Sequence, residues 1–234
     1  MKICIIPARG GSKRIPRKNI RVFCGKPVIA YSIEQALASG CFDKVIVSTD
    51  DHEIASIAKF YGAEIPFIRP EKLSDDYVAT HDVIKHAIQS YICQGEPVSV
   101  ACCIYATAPF IDAKYLKQGY TKLIESDKSY SFSVTSFPFP VQRAIRINKN
   151  NGIEAIWPEN IQTRSQDLEE AYHDAGQFYW GKAEAFMSDE DLFSDASTPV
   201  VLPRYLVQDL DTLEDWQRAE LMYQAWLLNG KRKT

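Results

Sequence analysis

A three-layer α/β/α fold around a mostly parallel sheet is what this 234-residue sequence predicts, and three observations predict it. Short apolar runs that read as buried strands recur along the first half. Each is followed by a loop and then a helical pattern, the alternation that builds parallel sheets with helices on both faces. The chain is also long enough for one sizeable core, with 46% hydrophobic and 24% charged residues.

The elements follow in chain order. Ile3, Cys4, Ile5 and Ile6 form a short buried strand. Residues 28–39 carry Ile29, Ile33, Ala36 and Leu37 on one helical face, with Gly40 as C-cap. Residues 44–48 are a second strand. Asp50 or Asp51 caps a helix that runs to Tyr61 and is ended by Gly62. Residues 64–68 are expected as a third strand, 80–93 as a helix, 98–105 as the longest apolar strand and 112–125 as another helix. Residues 130–137 and 144–147 look like antiparallel strands, and 148–152 is a hairpin turn. Residues 200–207 read as a strand broken by Pro203, and 212–228 as an amphipathic helix. The stretch 137–180 reads as an insertion packed on the main body, so residues 1–234 count as one domain. Ligands of such sheets sit beyond the carboxyl ends of the strands, so loops 7–19, 48–51 and 105–110 are expected to share a site.

Composition excludes several classes. A net charge of -3 does not suit a bulk nucleic-acid binder. No stretch approaches the roughly 20 apolar residues of a membrane span. Pro7 and Arg9 cut short the first apolar run, so it does not read as a signal peptide. The six cysteines have no CxxC spacing and no paired histidines, which argues against zinc. They are expected as buried thiols in a cytoplasmic protein. His52, His81 and His86 read as surface helix residues, and Trp216 and Trp226 as core or interface residues of the last helix.

The first chemical motif runs from Ile6 through Pro7, Ala8, Arg9, Gly10, Gly11, Ser12, Lys13, Arg14, Ile15, Pro16, Arg17 and Lys18 to Asn19. Two glycines let backbone N–H groups approach an anion, and Arg9, Lys13 and Lys18 offset triphosphate charge. The spacing matches neither a Walker A loop nor a dinucleotide fingerprint. The competing reading is a solvated basic loop.

This segment resembles the nucleotide-binding signature of the CMP-sugar synthetases that activate sialic acids and related 2-keto acids. The resemblance continues through Lys26-Pro27-Val28-Ile29-Ala30-Tyr31, Val47-Ser48-Thr49-Asp50-Asp51 and Arg69-Pro70-Glu71, and covers nearly the whole chain. Within the family the chain most resembles the branch acting on pseudaminic acid. That likeness rests on Lys13-Arg14-Ile15-Pro16, Tyr105-Ala106-Thr107-Ala108-Pro109-Phe110, Thr163-Arg164-Ser165-Gln166-Asp167-Leu168 and His173-Asp174-Ala175-Gly176-Gln177. It departs from the sialate branch at Arg14, where that branch usually has Gly, and at Tyr105, where it has Gln.

The resemblance implies a Rossmann-like nucleotidyltransferase fold with a small inserted dimerisation and sugar-binding segment. It implies transfer of CMP from CTP to the anomeric hydroxyl of an acidic nine-carbon 2-keto sugar, a Mg²⁺ cofactor and a homodimer. Sialic or legionaminic acid is the alternative substrate. A non-catalytic nucleotide-binding homologue is a second alternative, but such a protein has no need of a metal pair. The implied nucleotide-binding residues are Arg9, Gly10, Gly11, Ser12, Lys13, Lys18, Asn19, Arg69, Thr80 and Thr107. The implied sugar-binding residues are Tyr105, Arg164, Gln166, Tyr172, His173 and Gln177. Arg69 alone also reads as a surface partner of Glu71, and His173 as a structural histidine.

Asp209 and Asp211 are the expected metal ligands and, with Lys18, the catalytic group. Two residues apart on a strand point to one face, with Cα atoms roughly 6.6 Å apart. Carboxylates paired in this way suit Mg²⁺. Asp211 also reads as the N-cap of the last helix, with Glu214 completing a capping box.

Overall fold

The structure is a computed structural model that describes residues 1–188 and 190–231. Among the described residues ten strands and six α-helices follow one another. They are β1 (Lys2–Pro7), β2 (Val22–Phe23), β3 (Lys26–Pro27), α1 (Val28–Ser39), β4 (Lys44–Ser48), α2 (His52–Phe60), α3 (Thr80–Cys93), β5 (Val100–Ile104), α4 (Ala113–Glu125), β6 (Tyr130–Ser136), β7 (Ile145–Ile147), β8 (Ile153–Ala155), β9 (Tyr172–Lys182), α5 (Ala183–Met187), β10 (Ser197–Val201) and α6 (Leu213–Lys231).

The central sheet has the order β10-β6-β9-β5-β1-β4. β1 pairs in parallel with β4 and β5, and β10 with β6, whereas β9 runs antiparallel to both its neighbours. Side chains of α1, α2 and α4 pack on one face, around Ile6, Cys102 and Trp180. Those of α3 and α5 cover the other, around Ile5, Ala101 and Tyr179. This is the three-layer arrangement expected. A third cluster joins Phe23, Tyr31, Phe110, Leu206, Leu210 and Trp216, and fixes α6 to the end of the sheet where the first loop lies.

Helix ends follow local chemistry. Asp51 caps α2 by accepting from the Glu53 and Ile54 amides, each at 2.9 Å. Asp112 caps α4. Gly40 closes α1 in the left-handed region at φ 62, where a side chain would be strained.

Several expectations are corrected. Residues 64–68 form no strand. Glu64 makes one bridge to Ile46, and Pro66, lacking an N–H, cannot extend the ladder. The longest strand is β9, with eleven residues, not the five-residue β5. β9 includes residues assigned to the insertion, so the part of 137–180 outside the central sheet is 137–171, which carries the β7–β8 hairpin. The strand expected at 200–207 ends at Val201 and gives way to a 3-10 turn over Arg204–Leu206. Thr212, not Asp211, caps α6: its hydroxyl accepts the Asp215 amide at 3.1 Å, and Asp215 reaches back to the Thr212 amide at 2.9 Å. Among the cysteines Cys93 is exposed and Cys24 half-buried. His81 and His86 are half-buried rather than on the surface, and His86 sets its ring edge-on to Phe67.

Candidate active site

Two adjoining cavities open beyond the carboxyl ends of β1 and β5. The smaller, about 300 Å³, is lined by Arg9, Ser12, Lys13, Arg14, Lys18, Asn19, Arg69, Thr80 and Thr107 among others. The larger, about 690 Å³, shares Tyr105 and Thr107 with it and is lined further by His173, Asp174, Arg204, Asp209 and Arg218.

The first loop reaches the smaller cavity because its two ends are tied down. Asn19 is buried and donates to the Arg9 carbonyl at 2.9 Å, drawing the loop into a closed bend. Arg17 adopts φ 56, a strained value for a residue with a side chain. Its guanidinium grips both oxygens of Asp51, at 2.5 and 3.1 Å, and also Glu53. That pairing, with the two capped amides of α2, holds the Asp51 carboxyl down at about 2. Gly10 lies so near that a Cβ there would stand 2.8 Å from the Asp51 Oδ2. The Gly10 amide donates to Asp50 at 2.9 Å. It is therefore spent within the protein and not aimed at phosphate, contrary to the expected cradle. Gly11 is exposed and lines neither cavity.

The cations are already paired with carboxylates. Arg9 and Lys13 both pair with Asp76, on the strap between Arg69 and α3. Lys18 donates to the Leu210 carbonyl at 3.0 Å and to the Asp211 Oδ1 at 3.3 Å. Arg14 donates to the Asp211 Oδ2 at 2.6 Å. Arg69 is buried, with Asp50 at 3.7 Å from its Nη2, and among the described residues its Nε and Nη2 have no hydrogen-bond partner. It is no surface partner of Glu71. Burial lowers its pKa, and Asp50 works against that shift. A buried guanidinium with unmet donors beside an open cavity has the chemistry to hold a polar ligand.

Asp209 and Asp211 flank Leu210, which is buried in the α6 cluster. The segment has no regular secondary structure and pairs with no strand, so the strand expected there does not form. The two carboxyls still lie close enough to act on one another. Asp209 faces the larger cavity, and its pKa is raised by partial desolvation in the cleft wall and then by the adjacent Asp211. Two carboxylates that repel each other gain from a divalent cation, and oxygen donors suit Mg²⁺. Among the described residues no group of three or more metal-binding side chains gathers, so phosphate oxygens would have to complete the shell.

The expected sugar-binding residues divide. Tyr105 and His173 line the larger cavity. Tyr105 is largely buried, which raises its pKa, and it lies beside Tyr179, whose hydroxyl donates to Asp174 at 2.5 Å. Gln177 is buried and donates to the Leu206 carbonyl at 2.6 Å, so it braces the segment leading to Asp209. Tyr172 is exposed and donates to Glu170. Arg164 and Gln166 are exposed on the insertion and line neither cavity, and Arg164 pairs with Asp167 at 2.6 Å. Sequence reasoning missed Arg204 and Arg218, the cations that do line the larger cavity. Neither carries a local signal: Arg204 opens a short 3-10 turn after Pro203, and Arg218 is one of several charged residues of α6.

The fold and these cavities define an α/β protein with a cationic cleft at the carboxyl ends of its strands, bordered by a carboxylate pair. The profile of the cytidylyltransferase family matches residues 3–224, and the chain belongs to that family. It is thereby a nucleotidyltransferase. It is 48% identical to the pseudaminic acid cytidylyltransferase of Campylobacter jejuni, over 95% of this chain and 96% of the relative. It is 30% identical to the CMP-N,N'-diacetyllegionaminic acid synthase of Legionella pneumophila, over 93% of this chain and 94% of that one. Among solved structures it resembles a CMP:2-keto-3-deoxy-manno-octonic acid synthetase complexed with CTP, at TM-score 0.68 and 16% identity, over 96% of this chain and 99% of the other. That last likeness is one of fold.

Proposed function

We propose that the chain transfers CMP from CTP to the anomeric hydroxyl of pseudaminic acid, with release of pyrophosphate. The observation that carries this reading is the pair of contiguous cavities, one cationic and one roomier, which share Tyr105 and Thr107, with Asp209 in the wall of the larger and Asp211 paired with Arg14 and Lys18 of the smaller. The 48% identity to a pseudaminic acid cytidylyltransferase supports the choice of sugar.

CTP enters the smaller cavity. Arg69, with Thr80 at the start of α3, faces the base, and Arg9, Lys13 and Lys18 offset the triphosphate. The sugar fills the larger cavity beside Tyr105, His173, Arg204 and Arg218, where the arginines balance its carboxylate. The anomeric oxygen attacks the α-phosphorus in line, its bond to phosphorus forms as the bond to the bridging oxygen breaks, and the proton leaves to solvent. Asp209 and Asp211 fit Mg²⁺, which when bound supplies charge neutralisation at the α-phosphate and leaving group and eases loss of the hydroxyl proton. Catalysis is otherwise positioning and electrostatics.

A homodimer is part of the same proposal. Ile147 and Ile153, each 72% exposed, face outward on the β7–β8 hairpin. A second copy covers them, and the insertion then carries Arg164 and Gln166 toward the partner's larger cavity. A cytoplasmic location fits the six free thiols. Pyrophosphate release tests the reading, with CTP, UTP or ATP against pseudaminic, legionaminic and sialic acids. Turnover with CTP and pseudaminic acid at least about tenfold above every other pair is expected. A preference for legionaminic or sialic acid would move the chain to the other branch, and comparable use of UTP would refute CMP transfer.

A further inference from the structure

We propose that Arg14 is the exchangeable counter-ion of Asp211, holding that carboxylate in the nucleotide-free protein and passing to the triphosphate as a divalent cation is bound. The inference rests on reading Asp209 and Asp211 as the metal pair. Both oxygens of Asp211 are engaged, Oδ1 by Lys18 at 3.3 Å and Oδ2 by Arg14 at 2.6 Å. A divalent cation at Asp211 therefore competes with two positively charged donors for the same carboxylate.

The two donors differ in how firmly they are held. Lys18 is anchored twice, since it also bonds the Leu210 carbonyl at 3.0 Å, and its side chain is 20% exposed. The Arg14 side chain is 68% exposed. Arg14 is the donor that leaves with less loss of structure. It also lines the same cavity as Arg9 and Lys13, so on leaving Asp211 it joins the cations facing the triphosphate. Among the described residues Asp209 has no ion pair of this kind: its Oδ1 accepts its neighbour's amide, from Leu210 at 2.9 Å, and Lys18 acts on it at longer range. The pair is thus half ready for a cation and half closed.

The consequence is thermodynamic coupling. Without nucleotide, Arg14 competes with a divalent cation for Asp211. With CTP bound, the triphosphate draws Arg14 away and the cation site opens. By linkage, whatever factor CTP contributes to cation affinity the cation returns to CTP affinity. Arg14 is a positioning residue in this scheme, and its signature is in metal binding rather than turnover.

Titration of Mn²⁺ into the full-length protein, followed by the electron paramagnetic resonance of the free ion, reads this directly. No sugar is added, so CTP is not consumed. Arg14→Ala should tighten Mn²⁺ binding about tenfold without nucleotide and reduce the tightening caused by CTP by the same factor. Lys13→Ala removes equal charge from the same loop but leaves the Asp211 pair intact, and should shift Mn²⁺ affinity by less than about threefold. Equal shifts in the two variants would mean a general field effect and overturn the proposal, as would an unchanged Arg14→Ala. The metal pair is checked separately. If Asp209→Asn and Asp211→Asn keep wild-type Mn²⁺ binding with CTP present, the pair reading itself fails and takes the Arg14 inference with it. Loss of the ion in those variants beside an unchanged Arg14→Ala would overturn the inference alone.

Discussion

The loop at 8–19 and the segment at 164–177 are both rich in charged and hydrogen-bonding side chains, yet only the first delivers most of them to one cavity. The first is short, follows a buried parallel strand and is tied at both ends by Asn19 and by Arg17 on Asp51. Its cations have one place to go. The second crosses from the insertion into β9. Arg164 and Gln166 stay on the exposed insertion, while β9 shifts register against β6 near Gly176, at φ 61, so that His173 faces the cavity and Gln177 lies in the core. A chemical motif is a site when the backbone confines it, and a set of polar residues otherwise.

The sharpest way to test that contrast is at the carboxylate pair, a third region that is confined by Leu210. Asp209→Asn and Asp211→Asn should each lower kcat roughly 10²–10³-fold. Melting temperature should hardly move, because Thr212 and Asp215 make the α6 cap without them. Wild-type kcat with an unchanged Mg²⁺ dependence in both variants would end the metal assignment.

The next effects separate the two ends of the cleft. Arg9→Ala should raise the CTP KM about 10–100-fold, the loss of one charge-assisted contact, and leave the sugar KM nearly alone. Arg218→Ala should do the reverse, since Arg218 lines only the larger cavity. Arg164→Ala should raise the sugar KM by about tenfold, and the effect should vanish in an Ile147→Lys variant that sediments as a monomer. If Arg164→Ala leaves the sugar KM unchanged in a dimer, the insertion has no part in the sugar site.

Much of the fold was legible because its signals are local. The bounds of α1, α3 and β4 follow directly from apolar spacing and from Gly40. Signals spread over distant partners were not legible. β9 holds His173, Asp174, Gly176 and Gln177, which read as part of the insertion, and it joins the central sheet between β5 and β6. The cationic lining at Arg9, Lys13 and Lys18 was readable from one motif. Commitment of the Gly10 amide to Asp50 was not, because it depends on a residue forty positions away. Arg204 and Arg218 were hidden for the same reason: nothing near either in sequence marks a cavity that the α6 packing creates. Asp211 was ambiguous between cap and ligand, since Asp211 and Thr212 are both good cap residues and only the geometry shows Thr212 doing it.

The smallest effect expected is one of stability, and it probes what confines the first loop. Asp51 caps α2, pairs with Arg17 and abuts Gly10, so it joins the loop to the helix beneath it. Its carboxyl sits at about 2, against an ordinary 3.8, first because of Arg17. The folded state therefore favours the ionised form. The stabilisation is fully present above the unfolded value, near pH 4, and is lost as pH falls toward 2. Asp51→Asn keeps an oxygen for the α2 amides but gives up the charge facing Arg17. It should cost about 1 kcal/mol at neutral pH, read as a lower melting temperature. The deficit should shrink as both proteins are taken from pH 4 toward pH 2, because the wild-type carboxyl becomes neutral over that range. Asp51→Ala should cost more, about 1–2 kcal/mol, since the cap is lost too. With the loop less firmly held, both variants should also raise the CTP KM modestly while kcat stays near wild type. A stability deficit that does not change between pH 4 and pH 2 would mean that packing against Gly10, rather than charge, is what Asp51 contributes.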